Sequence, residues 1–110
     1  MPSRSITIPT DHAAFDGHFP GNPLLPGVVL VAEALEAITC DVDAAAVLGE
    51  TPQLGTAKFL APVGPGASLR IDWQTAGRRV RFDVHEVRDG ALKLAASGHF
   101  ERAASALGAT

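Results

Sequence analysis

The stretch that most limits the possible folds runs from Pro26 to Thr39 and reads PGVVLVAEALEAIT. Val28, Val29, Leu30 and Val31 are consecutive, so the first turn of a helix here is apolar on every side. A helix of that kind is buried, not laid on a surface. Three valines within four positions are poor helix formers, and the pattern alone also allows a buried strand. The continuation Ala32-Glu-Ala-Leu-Glu-Ala decides for helix. Proline is tolerated at the first helical position, which sets the start near Pro26. The rest of the chain must then supply a sheet that curls around this helix.

The segment before it is stiff. Gly17 to Pro26 holds three prolines and two glycines and cannot be regular structure. Proline fixes backbone dihedrals and reduces the freedom of the unfolded chain, so such a loop is suited to holding one side chain in place. His18 lies in it. Upstream, Ser3 to Ile8 alternates Ile6 and Ile8 with Ser5 and Thr7, a short half-buried strand. Pro9 ends that strand or holds it at an edge, and Asp11 to Phe15 suits one helical turn.

Beyond the helix, Asp41 to Gly49 reads either as a loop or as a short helix capped by Asp43 and closed by Gly49. The period then changes to two. Gln53 to Leu60 reads as a strand, ended by Ala61-Pro-Val-Gly-Pro-Gly66. Leu69, Ile71 and Trp73 alternate with polar residues, as do Val80, Phe82 and Val84. Leu92, Leu94, Ala96 and Phe100 alternate with Lys93, Ala95, Ser97 and His99, and Asp89-Gly90 marks a hairpin. Three successive strands in a meander follow, each with one buried face. One helix plus an antiparallel sheet makes an α+β domain. Residues 1–102 are expected to form that single domain, with 103–110 a frayed tail.

Composition narrows the function. At 110 residues the chain holds one domain and a modest core. Pairing with a second copy would add burial, so an oligomer is expected. The net charge of -3 argues against nucleic acid, which calls for a basic patch. Arg78, Arg79 and Arg81 form the one basic cluster, read as a solvated strand end or a dock for an acidic partner. A single cysteine, Cys40, excludes an internal disulfide and a cysteine-rich metal site. His12 and His18 match no metal-ligand spacing, so no metal is expected. Asp11 and Asp16 read as turn caps rather than partners of the histidine. His85 and His99 read as surface side chains. No run is long enough for membrane insertion, and MPSRSITIPT lacks a signal core, which makes the cytoplasm the expected compartment.

His18-Phe-Pro-Gly-Asn-Pro-Leu-Leu-Pro-Gly-Val-Val resembles the signature of the 3-hydroxyacyl-acyl-carrier-protein dehydratases of the FabA/FabZ type. Ala57-Lys-Phe-Leu-Ala-Pro-Val-Gly-Pro-Gly66 resembles their second recurrent segment. The resemblance implies a hot-dog fold, an antiparallel sheet wrapped around a long central helix, that dimerises edge to edge with active sites at the dimer interface. It further implies a substrate carried on the phosphopantetheine arm of an acyl carrier protein, with no other cofactor. Dehydrating a 3-hydroxyacyl thioester to its trans-2-enoyl product needs a base at C2, stabilisation of charge on the thioester oxygen and an acid at the departing hydroxyl. His18 fits the base, since its unperturbed pKa lies near working pH. Gly27, where backbone N–H groups lack intrahelical partners and no side chain blocks approach, fits the oxyanion donor. Pro26 and Val28 flank it as substrate-binding positions, and Phe19 is core or tunnel wall.

The acid departs from the family pattern. The family carries Glu or Asp fourteen positions after the histidine, and here that position is Ala32. Glu33 is one residue later, turned about 100° around the helix. Glu36 keeps the face of Ala32 but lies about 6 Å further along the axis. Both are candidate replacements, and both could equally be solvent-facing helix residues. Two alternatives to a dehydratase therefore stand: a non-catalytic acyl-binding or partner subunit completed by an acid-bearing paralogue, and a thioesterase on the same fold.

Overall fold

The computed structural model describes residues 2–8 and 27–103. Five strands and two helices follow in the order β1 (Ser3–Thr7), α1 (Gly27–Thr39), α2 (Val42–Leu48), β2 (Pro52–Phe59), β3 (Ser68–Ala76), β4 (Arg79–Arg88) and β5 (Ala91–Arg102). The strands form one sheet in the order β1-β3-β4-β5-β2, every neighbouring pair antiparallel. β3, β4 and β5 are the expected meander. Pro9, the stiff segment around His18 and the possible turn at Asp11 to Phe15 lie outside the described residues, as does the tail from 104.

The alternating apolar residues of β3 and β4 give the sheet one buried face. Leu69, Ile71 and Trp73 on β3, Val80, Phe82 and Val84 on β4, and Ala96 and Phe100 on β5 are buried there. Phe82 and Phe100 stack with ring centroids 5.1 Å apart. Helix α1 belongs to the same core through Leu30, Ala34, Ala37 and Ile38. That spacing, i, i+4, i+7, i+8, is a single helical stripe. Among the described residues the helix is therefore not covered all round. Val28 is 71% exposed, and Ala32 and Glu36 follow it on the same outward stripe. Apolar residues on that side await something other than this chain's sheet.

Two bulges alter the strand phases. On β2, Leu54 pairs with Phe100 and Thr56 with His99, leaving Gly55 unpaired. A Cβ at Gly55 would come within 2.0 Å of His99 Nε2, so the close seat of the imidazole requires glycine. On β5, Val84 pairs with Ala96 but His85 with Leu94, leaving Ala95 as the extra residue. Ala95 and Ala96 are both buried in consequence, while Leu92 and Leu94 are 49% and 37% exposed. The alternation expected to bury Leu92 and Leu94 is thus broken, because one inserted residue moves every earlier side chain to the other face.

The segment after α1 is helical, and its cap is Asp41 rather than Asp43. Asp41 Oδ1 accepts from the backbone N–H groups of Asp43 and Ala44 at 3.0 and 3.4 Å. Gly49, at φ 71°, closes the helix as expected. The other carboxylate oxygen of Asp41 accepts from the indole N–H of Trp73 at 2.8 Å. One side chain so joins the start of α2 to β3, and it satisfies the polar atom of a buried tryptophan. The Trp73 hydrogen bond, followed by the two backbone donors, holds the Asp41 carboxyl below its ordinary value of 3.8.

A lowered folded-state pKa means that the unfolded chain takes up the proton first. Asp41 therefore stabilises the fold fully above its unfolded pKa, and this contribution is lost as pH falls through the lower folded value. Asp41→Ala is expected to lower the urea midpoint at pH 7, with the gap to the parent closing in strongly acidic buffer. Trp73 is the chain's one tryptophan, so its fluorescence reads the transition directly.

Candidate active site

The N-terminal end of α1 opens on an apolar cleft. Gly27, Val28 and Leu30 form one side, and Phe59, Leu60, Ala61 and Pro62, where β2 ends, form the other. The cavity is about 470 Å³. Sheet geometry sets the second wall. Phe59 pairs with Ala96, and the backbone N–H groups of Leu60 and Ala61 both donate to the Ala95 carbonyl, at 2.8 and 3.3 Å. The bulge residue of β5 thereby fixes where the chain leaves β2.

Gly27 and Val28, read above as substrate-binding positions, both line this cleft. Helix α1 begins at Gly27, in whose first turn the N–H groups have no intrahelical acceptor. The ring of Phe59 packs so closely that a Cβ on Gly27 would lie 2.7 Å from its Cε1. Glycine at this position therefore admits the ring as well as exposing backbone. His18, Phe19 and Pro26 lie outside the described residues. Glu33 is half-buried beside the outward stripe, and Glu36 is exposed on it. By helix rise, Glu36 sits about 13 Å along the axis from Gly27, against about 7 Å for Ala32. None of the described residues lining the cleft is titratable.

Residues 59–62 went unassigned from periodicity, which marked only a strand and its end. The signal that could have flagged them is the family-like segment Ala57–Gly66, to which all four belong.

Two histidines, His85 and His99, lie on the face of the sheet opposite the core. His99 Nδ1 and the Thr56 hydroxyl share a hydrogen bond of 3.0 Å, and His85 Nδ1 lies 3.5 Å from Asp72 Oδ2. Both imidazoles, read above as surface side chains, are half-buried, because strand neighbours flank them. Arg78, Arg79 and Arg81 are exposed at the strand end, with Arg79 paired to Glu101 at 3.5 Å. Among the described residues no three His, Cys, Asp or Glu side chains are grouped to hold a metal, and no helix is long and apolar enough to cross a membrane.

A helix seated on a five-stranded antiparallel sheet, with a cleft at its N-terminal end, makes this a hot-dog protein. Residues 3–99 match the ApeI-like family, the ApeI dehydratases, and the chain belongs to that family. It is 42% identical over 78 residues to the 3-hydroxyacyl-[acyl-carrier-protein] dehydratase FabZ of Ligilactobacillus salivarius, a match covering 63% of this chain and 51% of that one. The chain spans about half the length of curated dehydratases it matches. An uncharacterised protein from Erwinia carotovora subsp. atroseptica superposes with a TM-score of 0.73 at 25% identity, over 90% of this chain and 79% of that one. The dehydratase heterocomplex ApeI:P from Xenorhabdus doucetiae superposes with a TM-score of 0.65 at 22% identity, over 90% and 83%, a likeness of fold.

Gly27→Ala is expected to strain the helix mouth against Phe59. Overpacking of this kind costs about 1–3 kcal/mol. Thermal melts should show the single variant destabilised and the Gly27→Ala/Phe59→Ala pair closer to Phe59→Ala alone, since the clash partner is gone.

Proposed function

We propose that this chain is a 3-hydroxyacyl-carrier-protein dehydratase subunit that eliminates water from a 3-hydroxyacyl thioester to give the trans-2-enoyl thioester. The observation that carries the reading is the apolar cleft at the mouth of α1 with Gly27 in its wall, in a chain of the ApeI-like family. His18 takes the C2 proton. Charge that develops on the thioester oxygen is met by the Gly27 N–H, backed by the helix dipole. The C3–O bond then breaks, and the hydroxyl departs as water with the proton that His18 took from C2. The acyl chain lies along Val28 and the end of β2. The substrate arrives on the phosphopantetheine of an acyl carrier protein, and no other cofactor is needed.

The protein works as a dimer. β2 has a sheet neighbour on one side alone among the described strands, Leu54 and Phe59 on it are exposed, and the outward stripe of α1 is apolar as far as Ala32. A second copy along that edge covers all three. Leu54→Lys is expected to shift the protein toward monomer, read as apparent mass by light scattering.

A second reading is favoured by one specific feature: Ala32 stands at the family's acid position and none of the described cleft residues supplies a carboxylate. In this reading the subunit contributes His18 and Gly27 while a carboxylate comes from a different, acid-bearing partner chain. The dehydratase ApeI:P from Xenorhabdus doucetiae, similar in fold, is itself a heterocomplex. Glu36 stands too far along α1, and Glu33 is turned about 100° away, to replace the acid without a shift of the helix.

Incubating the protein with a 3-hydroxyacyl carrier-protein thioester and weighing the product tests both readings. Loss of one water by the parent, abolished in His18→Ala without loss of fold, is the expected result. Ala32→Glu should raise the rate by about 10²-fold or more, the contribution typical of a positioned acid. Turnover only after an acid-bearing partner is added would favour the second reading. Free thiol without enoyl product would instead indicate hydrolysis.

A further inference from the structure

Phe59 is held in an unusual way. Its backbone is pinned, because Phe59 pairs with Ala96 and the next two N–H groups share the Ala95 carbonyl. Its side chain is not enclosed: the residue is 54% exposed. It points to the helix side of the sheet, and its ring lies flush against Gly27, where an added Cβ would meet Cε1, Cδ1 and Cζ at 2.7 to 2.9 Å. Every other described residue lining the cleft is apolar or glycine. Selection among acyl groups there has to come from shape, because the cleft walls among the described residues offer no side-chain hydrogen bond.

We infer that Phe59 is a specificity-determining residue, whose ring limits the width of the acyl group directly beside the thioester carbonyl and so selects acyl thioesters unbranched at C2. The inference rests on the assignment of Gly27 as the oxyanion donor. A carbonyl oxygen held at the Gly27 N–H puts the adjoining carbons of the acyl chain against the Phe59 ring. A substituent at C2 meets that ring before it meets any other described wall. Chain length is read further from the carbonyl and is not selected by this contact.

A hydrophobic pocket separates ligands that differ by one methylene by roughly 10–200-fold. The experiment is calorimetric titration of the full-length protein with two unreactive acyl-pantetheine analogues, in which a methylene replaces the thioester sulfur. One has a straight acyl chain and the other carries a methyl at C2. The parent is expected to prefer the straight analogue by at least tenfold. Phe59→Ala should erase most of that preference through tighter binding of the branched analogue, with Phe59→Leu intermediate. An affinity ratio unchanged across the three proteins overturns the inference, as does a parent that binds neither analogue. Dehydration of the matching 3-hydroxyacyl thioesters is followed in parallel. A ratio that shifts with Phe59 in a protein that releases free thiol without losing water would sink the dehydratase reading and leave the role of Phe59 standing.

Discussion

The packing of α1 on the sheet through Leu30, Ala34, Ala37 and Ile38 is the contact on which the rest of the structure depends. Two of those four are alanine, and a helix that presents small side chains lies close to the strands beneath it. Its closeness decides where Gly27 ends up relative to the end of β2. Were the helix raised by larger residues, the ring of Phe59 and the backbone of Gly27 would separate and the cleft would lose its narrow side. The core and the site are in this sense one object, since the residues that give stability also set the distance between the two walls.

The strands were legible because alternation is a local signal, and β3 and β4 follow it without interruption. Their partner β5 was legible as an element but not in phase. Nothing in Leu92-Lys-Leu-Ala-Ala says that the extra residue falls at Ala95, because a bulge is a relation between two strands and the pattern of one does not contain it. Gly55 on β2 carried a hint of the same kind, as glycine inside a strand often marks a bulge. The helix posed a different problem. Val28 and Leu30 are equally apolar, yet one faces out and the other lies in the core. Hydrophobicity tells which faces avoid water, not which molecule covers them.

The site divided along the same line. Gly27 could be placed from general chemistry, since a glycine at a helix start exposes backbone donors whatever surrounds it. Phe59 to Pro62 could not, because their role comes from a meeting of segments distant in sequence. The resemblance of Ala57–Gly66 to a recurrent family segment carried that information in compressed form. Asp41 shows the converse: a capping residue was foreseen nearby, but the competing demand of the Trp73 indole, from a strand not yet formed in any local reading, draws the cap to position 41.

The shared acceptor at Ala95 has an evolutionary consequence. Both N–H groups that turn the chain out of β2 hang on the carbonyl of a residue that is itself surplus to the β4–β5 register. Deleting or duplicating a single codon there would re-seat the cleft wall without altering any residue that lines it. Small insertions and deletions in the last strand therefore give this fold a route to new cleft shapes that a comparison of cleft residues alone would miss.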